Sequence, residues 1–451
     1  MKQTLAVTTA ATLAVAAAAA AQEGPVLLSV DANLADYGLE SLDSVRLGRV
    51  ALVHAPGGDR VALHFLRASL PGDAPAGAPA SPTPLQGGSD RRPAVRALWV
   101  WNTAEILADE RERASFLEFV TVCSIERVFL YVPAAEGESP SAGFLPFDGD
   151  ALAPLLASLH EVGAETYALD GDPAYVRLEN HGGVVRTVRR VIEHNRTHRA
   201  EERFYGVRYD IEPYILAGFQ GPHRLQILTD YVRLLESVAR VAHEGDLRVG
   251  ADVPFWLDAV DEITGEPFQA LVDGAPVPVL PQIMRAVDDV GVMAYRTTAD
   301  GPAGVVLNAS TEIALANEGP AEVYVGVETT RIDDEELYVL RGRGRAGVPP
   351  LADARWVVAQ SLGGVRVRVW LVEGQEALDR LASEAGDPET LRYWFAGQPV
   401  PVPGDRISFH SLGADAMWSV TGEVERRFDD QPGFLGLAFH DYVGLRELLS
   451  R

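Results

Sequence analysis

The sequence predicts an α/β protein, a (β/α)8 TIM barrel with a small N-terminal β region and an insertion after the seventh barrel strand. Two observations support this fold class. From residue 95 onward, apolar strand-like runs alternate with amphipathic helical stretches eight times. The strand-like runs are almost continuously apolar, which is typical of a parallel sheet covered on both faces. The alternative is an open doubly wound sheet, but the chain has no glycine-rich phosphate loop to favour it.

The elements follow one another in a regular order. The strands are predicted at 96–102, 127–133, 165–171, 205–213, 248–256, 290–296, 322–329 and 434–440. Helices are expected at 108–122, 149–162, 184–195, 225–243, 280–287, 305–317, 413–428 and 442–449. Residues 331–410 remain as an insertion with its own strand (GVRVRVWLVEG) and helix (QEALDRLASEAG). Because such a loop lies at the C-terminal rim of a barrel, the insertion is expected to wall or cover an active site.

Three segments precede the barrel, which we assign to 94–451. Residues 1–21 combine one lysine with a weakly apolar run that ends in small residues, which predicts a secretory signal peptide cleaved near Ala21. A membrane anchor is the alternative for this segment. Residues 22–70 carry short strand-like runs, and 71–93 are rich in Pro, Ala and Gly, as in a linker. The expected location is therefore the periplasm or the outside of the cell, with no membrane span in the mature chain.

Composition narrows the class of ligand. The net charge is −25 and the pI about 4.8, so nucleic acid and anionic membranes are not expected partners. Cys123 is the single cysteine, so it forms no internal disulfide, and its position in an apolar helical pattern predicts burial. No HExxH, Cys/His cluster or calcium loop appears in the sequence. We therefore expect no metal and no cofactor, and the sequence leaves the oligomeric state open.

The segment GVRYDIEPY (206–214) places two acids at the end of a predicted buried strand. Asp210 and Glu212 are two residues apart and share a face of the strand, while Pro213 ends the ladder. Two neighbouring buried carboxyls disfavour joint ionisation, which raises at least one pKa and suits a general acid. The structural alternative is an ion pair with Arg208 or Arg296.

Polar and aromatic residues occupy the other strand ends as well. Glu328 ends strand 7 and Tyr295 ends strand 6, and we group them with Asp210 and Glu212 as candidate catalytic residues. The candidate substrate-binding residues are Trp99, Trp101, Asp170, Asp252, Trp256, Arg296 and His440. For the tryptophans of strand 1, a place in the barrel core is the alternative. Acids interleaved with aromatic rings suit a glycan, whose cleavage needs a proton donor and a second group that supports an oxocarbenium-like transition state.

The carboxylate strand also carries a resemblance to a known family. Asp210-Ile211-Glu212 resembles the end of the DxxDxDxE strand of family 18 chitinases, and Met293-Ala294-Tyr295 is similar to their Met-x-Tyr strand. The resemblance implies that Glu212 donates the proton, Asp210 orients a substrate acetamido group and Tyr295 supports it.

This sequence departs from the family 18 pattern at four positions. Tyr205 and Arg208 stand in place of the two upstream acids, Arg296 follows the tyrosine where Asp is usual, and strand 8 has His440 rather than Trp.

A second resemblance uses a different carboxylate pair. Glu212-Pro213 with Glu328 looks like clan A glycosidases, with the acid/base on strand 4 and the nucleophile on strand 7, although Ile211 stands where that clan has Asn. Carboxyls about 5 Å apart would then predict retention. The barrel segments, 95–330 and 430–450, also resemble an uncharacterised group of bacterial glycosidase-related barrels.

The predicted function is a secreted glycoside hydrolase that acts on a polysaccharide or oligosaccharide with Glu212 as the general acid. Two alternatives come from other classes. One is a barrel that binds carbohydrate without cleaving it, and the other is a structural or surface-assembly protein that docks through its N-terminal β region.

Overall fold

A computed structural model describes residues 26–37, 39–45, 47–53, 60–66, 94–133, 143–220, 223–260, 267–341, 344–346, 355–396 and 399–451. The predicted signal peptide and linker lie outside these ranges. Within them, no helix is long and apolar enough to cross a membrane.

The barrel is closed and all of its strands are parallel, which confirms the predicted fold class. Among the described residues before it lie three strands, β1 (Val26–Asn33), β2 (Leu47–Val53) and β3 (Arg60–Leu66). The first barrel strands are β4 (Val95–Val100), β5 (Arg127–Tyr131), β6 (Glu165–Asp170), β7 (Gly206–Tyr209) and β8 (Arg248–Pro254). The hairpin of β9 (Gln269–Val272) and β10 (Ala275–Pro278) follows, and β11 (Asp289–Met293), β12 (Glu322–Glu328) and β19 (Phe434–His440) complete the barrel. Each barrel strand overlaps its predicted position.

Helices follow the barrel strands at the predicted places. They are α1 (Thr103–Ala108), α2 (Glu110–Val122), α3 (Gly149–Glu161), α4 (His181–Thr197), α5 (Arg224–His243), α6 (Val279–Ala286), α7 (Val305–Glu318), α9 (Ala414–Phe428) and α10 (Tyr442–Leu449). The helix predicted at 108–122 is α2, and the short helix α1 before it, which the sequence pattern did not predict, is separated from α2 by Asp109. Its backbone is extended and its carboxylate accepts the N–H groups of Arg111 and Glu112, so it caps a new helix.

The barrel strands carry an apolar layer on each of their two faces. The larger one lies between strands and helices and includes Val207, Tyr209 and Ile211. The inner one fills the barrel with aromatic rings, among them Trp99, Phe129, Tyr167 and Tyr324, each at most 1% exposed. Since side chains alternate along a strand, the neighbours of the outward residues of β7 point into the barrel, and Arg208 does so. Polar groups at the strand ends therefore lie above an aromatic floor.

The N-terminal strands pair with strands of the insertion. The insertion contains β13 (Glu335–Arg341), β14 (Arg345–Ala346), β15 (Arg355–Ser361), β16 (Arg366–Glu373), α8 (Gln375–Glu384), β17 (Leu391–Phe395) and β18 (Val400–Val402). One sheet has the order β1-β16-β15-β17-β14 and the other β18-β13-β2-β3. Residues of both, such as Val30, Val50 and Val357, share one buried cluster. The two segments, separate in sequence, thus build one β-sandwich together.

This sandwich contacts the C-terminal end of the barrel. Val402 and Ile407 pack in one cluster with Met293 and Tyr295, at and just beyond the end of β11. The Thr297 hydroxyl donates to the Asp405 carbonyl at 2.7 Å. The insertion therefore lines the barrel mouth beside β11, the sixth barrel strand, which leads to the candidate residue Tyr295.

Candidate active site

Asp210 and Glu212 lie at the barrel mouth just beyond β7. The Asp210 N–H donates to the Asp170 carbonyl at 3.0 Å, which extends the β6–β7 ladder by one residue. Pro213 then opens a 3-10 turn that ends the strand direction. Gly171 is required here, because a Cβ at that position would collide with the Asp210 carbonyl.

Neither acid of this pair forms an ion pair with an arginine among the described residues. The Oδ1 atom of Asp210 is buried and has no hydrogen-bond partner. Burial, followed by the charge of Glu212, raises the pKa of Asp210 well above its usual range. Burial also raises the pKa of Glu212 to about 7, although a hydrogen bond from the Tyr214 hydroxyl to Oε1 opposes the rise. The pair thus holds a proton near neutral pH.

Arg208 does not neutralise the pair, so this form of the ion-pair alternative is wrong. Its guanidinium donates to Asp252 at 2.5 Å and to Asp289 at 2.6 Å, with all three side chains fully buried. It also lies over the ring of Phe129 at 3.9 Å. Gly291 makes room for this cluster, because a Cβ there would collide with Arg208 and Asp252. The cation is therefore satisfied one layer below the two acids.

Glu328 is held by hydrogen bonds to both of its carboxylate oxygens. Oε1 accepts from the Thr330 N–H at 2.7 Å and from the Thr330 hydroxyl at 2.6 Å. Oε2 accepts from Nδ1 of His440 at 2.8 Å. With 3% of its surface exposed, Glu328 is arranged to orient the imidazole of His440 rather than to attack a substrate.

His440 joins this carboxylate to strand 1. The indole N–H of Trp101 donates to its Nε2 at 3.1 Å, which leaves the proton on Nδ1. Burial opposes a charge on His440, but the Glu328 carboxylate outweighs it and raises the pKa to about 9. If Nε2 of His440 were protonated, its N–H would face the N–H of Trp101, and two donors would meet. Trp101 therefore favours the neutral imidazole, whereas the Glu328 carboxylate favours the charged one.

Tyr295 lies at the centre of these groups. Its ring centroid is 5.8 Å from that of His440. Burial, then the charges of Glu328, Asp210, Asp252 and Glu212, raise its pKa well above the usual range. Its hydroxyl therefore remains protonated among the acids and is available as a hydrogen-bond donor.

The structure places three other predicted residues away from the mouth. Trp99 is 1% exposed and lies in the barrel core, where its indole N–H donates to Asp252 at 3.0 Å. Asp252 is spent on that bond and on Arg208. Asp170 lies on the helix-facing side of β6, on the same face as Ala168 of the outer layer. Its carboxylate accepts hydrogen bonds from the Gly171 N–H and the Tyr175 hydroxyl. These residues support the barrel and have no free group for a ligand.

Trp256 stands behind the acids. Its ring is half-buried and packs edge-on against Tyr214 at 5.1 Å, in a cluster with Phe219 and Phe268. Tyr214 in turn donates to Glu212. Sequence reasoning missed Tyr214 and Thr330, yet each stands two residues after an acid it bonds, a spacing visible in EPY and ETT.

Comparison with known proteins yields similarity at the level of solved structures. No protein-family model and no curated protein sequence matches the chain. A class V chitinase from Pseudomonas fluorescens is 12% identical, with a TM-score of 0.39 over 79% of this chain and 99% of that chain. A glycoside hydrolase family 18 N-acetylglucosaminidase from Paenibacillus barengoltzii is 13% identical, with a TM-score of 0.39 over 79% and 98%. At this distance the activity of this chain has to be argued from its own site.

Proposed function

We propose that the protein is a glycoside hydrolase in which Glu212 protonates the leaving glycosidic oxygen. The supporting observation is the Asp210–Glu212 pair, which lies at the barrel mouth without a guanidinium partner. A carboxyl that keeps its proton near pH 7 can donate it as the glycosidic bond breaks. The resulting carboxylate can then take a proton from the attacking water.

We assign the second acid of the reaction to Asp210 rather than to Glu328: the protonated carboxyl of Asp210 can hydrogen-bond to the substrate group that stabilises the oxocarbenium-like transition state, and so orient it. Asp210 has an unpartnered oxygen beside Glu212, whereas Glu328 has both oxygens engaged by Thr330 and His440. A nucleophile would have to give up those bonds, at a cost of about 1–3 kcal/mol for each buried group left unsatisfied. The Tyr295 hydroxyl can donate a hydrogen bond to the carboxylate that Glu212 becomes once it has given up its proton.

The protein is proposed to act outside the cytoplasm on a polysaccharide or oligosaccharide. Residues 1–21 have the composition of a secretory signal peptide, and the glycan proposal fits the mixture of acids and aromatic rings at the mouth.

The Glu212→Gln protein tests this proposal against release of reducing ends from a panel of neutral and acidic glycans. The amide keeps the shape of the side chain but cannot donate the proton, so turnover should fall by about 10²–10⁴-fold. Glu384→Gln, the same exchange at an exposed position of α8, is the matched control and should keep full activity. Wild-type turnover in Glu212→Gln would overturn the assignment. Binding without any cleavage by the wild-type protein would instead establish a non-catalytic carbohydrate-binding barrel.

A further inference from the structure

Arg296 is a buried arginine in the loop that follows β11 at the C-terminal end of the barrel, and its charge has no counter-ion among the described residues. It follows Tyr295 directly and is 6% exposed. Its Nη1 donates to the Tyr295 carbonyl at 2.6 Å, and its guanidinium lies 4.5 Å from the ring centroid of Phe255. No carboxylate of the described residues lies within ion-pair distance of it. Within the part of the chain that the structure describes, most of its five N–H donors therefore have no hydrogen-bond acceptor.

The two buried arginines of the barrel strands are paired with carboxylates. Arg127 pairs with Glu165 at 2.8 Å, and Arg208 pairs with two aspartates. Buried charges in proteins are normally paired in this way, because an isolated one loses its hydration without compensation. For Arg296 burial alone acts, and it lowers the pKa to about 10. None of the acids around Tyr295 forms an ion pair with Arg296.

We propose that Arg296 binds a carboxylate carried by the glycan, so that the substrate class is an acidic glycan. This inference rests on the proposed function. A planar guanidinium with free N–H groups matches a carboxylate through two parallel hydrogen bonds. The stacking on Phe255 holds the plane of the guanidinium.

The remainder of the molecule limits how much negative charge the ligand bears. The chain carries a net charge of −25, which repels a polyanion at long range. A single cation at the mouth suits a glycan with isolated carboxylates, such as a uronic acid or a lactyl ether on an amino sugar.

Calorimetric titration of the Glu212→Gln protein separates charge recognition from cleavage. Two matched pairs of probes are used. The first is chitotetraose against the alternating tetramer of N-acetylglucosamine and N-acetylmuramic acid, and the second is cellotetraose against a tetramer containing glucuronate. The acidic member of one pair should bind at least about tenfold more tightly, as expected for a charge-assisted pair. The pair that responds identifies the lactyl or the uronate source.

Arg296→Gln, added to the same protein, should abolish this preference, and Arg296→Lys should retain part of it. Arg285→Gln removes the same charge from an exposed helix position and should leave the preference intact. Because an unpaired buried charge is lost, Arg296→Gln should unfold at the same temperature as its parent or higher. Equal affinities for both members of both pairs, or a preference that survives Arg296→Gln, would overturn the inference.

Activity of the wild-type protein distinguishes this failure from failure of the proposed function. Cleavage of neutral and acidic glycans at similar rates would remove the acidic substrate and keep the hydrolase. Tight, Arg296-dependent binding of acidic glycans without cleavage would instead keep the acidic ligand and remove the hydrolase.

Discussion

Replacing Tyr214 with phenylalanine should raise the pH at which hydrolysis is lost. The Tyr214 hydroxyl donates to the Glu212 carboxyl and stabilises its ionised form, so it lowers a pKa that burial has raised from 4.5 to about 7. The phenyl ring keeps the packing against Trp256. A general acid must be protonated, so the alkaline limb of kcat/KM follows this pKa.

The size of the effect follows from the same contact. At pH 7 a glutamic acid with a pKa of 4.5 is protonated in roughly 0.3% of molecules, whereas one at about 7 is protonated in roughly half. A hydrogen bond to a charged group contributes about 1.5–3 kcal/mol, and one pKa unit corresponds to about 1.36 kcal/mol. Losing the Tyr214 bond should therefore move the limb upward by about 1–2 pH units.

The assay is the pH profile of kcat/KM on any glycan that the wild-type protein cleaves. Tyr175→Phe is the matched control, because that hydroxyl donates to Asp170 on the outer side of the barrel. Its profile should not shift. A limb that stays in place or moves to lower pH in Tyr214→Phe would refute the role of Glu212 as the acid.

Two further predictions concern stability. Arg208→Met leaves two buried aspartates without a counter-charge and should lower the free energy of unfolding by about 3–5 kcal/mol in chemical denaturation. Arg368→Met, at an exposed ion pair, should lower it by less than about 1 kcal/mol. Equal losses in the two variants would contradict the buried network. Burial raises the pKa of Asp170 to about 6 and of Glu212 to about 7, and the Glu328 carboxylate, against burial, raises that of His440 to about 9. The folded protein thus binds protons more tightly than the unfolded chain, so the melting temperature should fall as pH rises from about 4.5 to 9. Asp170→Asn should flatten the acidic part of that curve, and stability that rises with pH across this window would contradict the assignment.

The fold could be predicted because its signals are local. A short apolar run followed by an amphipathic stretch indicates each βα unit. Eight such units favour closure of the sheet into a barrel. The candidate acids were predictable for the same reason, since Asp210, Glu212 and Glu328 follow apolar runs directly in the sequence.

The role of each strand-end residue could not be predicted with equal success. Asp170 and Asp210 both end apolar runs, yet Asp170 faces the helices and Asp210 the mouth. Barrel strands are buried on both faces, so the hydrophobic pattern does not reveal which residues point inward. The same ambiguity surrounds Trp99, which an apolar strand accommodates equally well in the core or at the rim.

By itself, the sequence determined the barrel and the order of its elements, and it put two carboxyls at the end of the fourth strand. Tertiary structure decided which charges meet. Arg208 pairs with Asp252 and Asp289, which are 44 and 81 residues away along the chain, and this pairing leaves the Asp210–Glu212 pair without an arginine partner among the described residues. It also joined the N-terminal strands to the insertion beside Tyr295. Charge compensation and strand pairing depend on distances in space, which the order of residues does not specify.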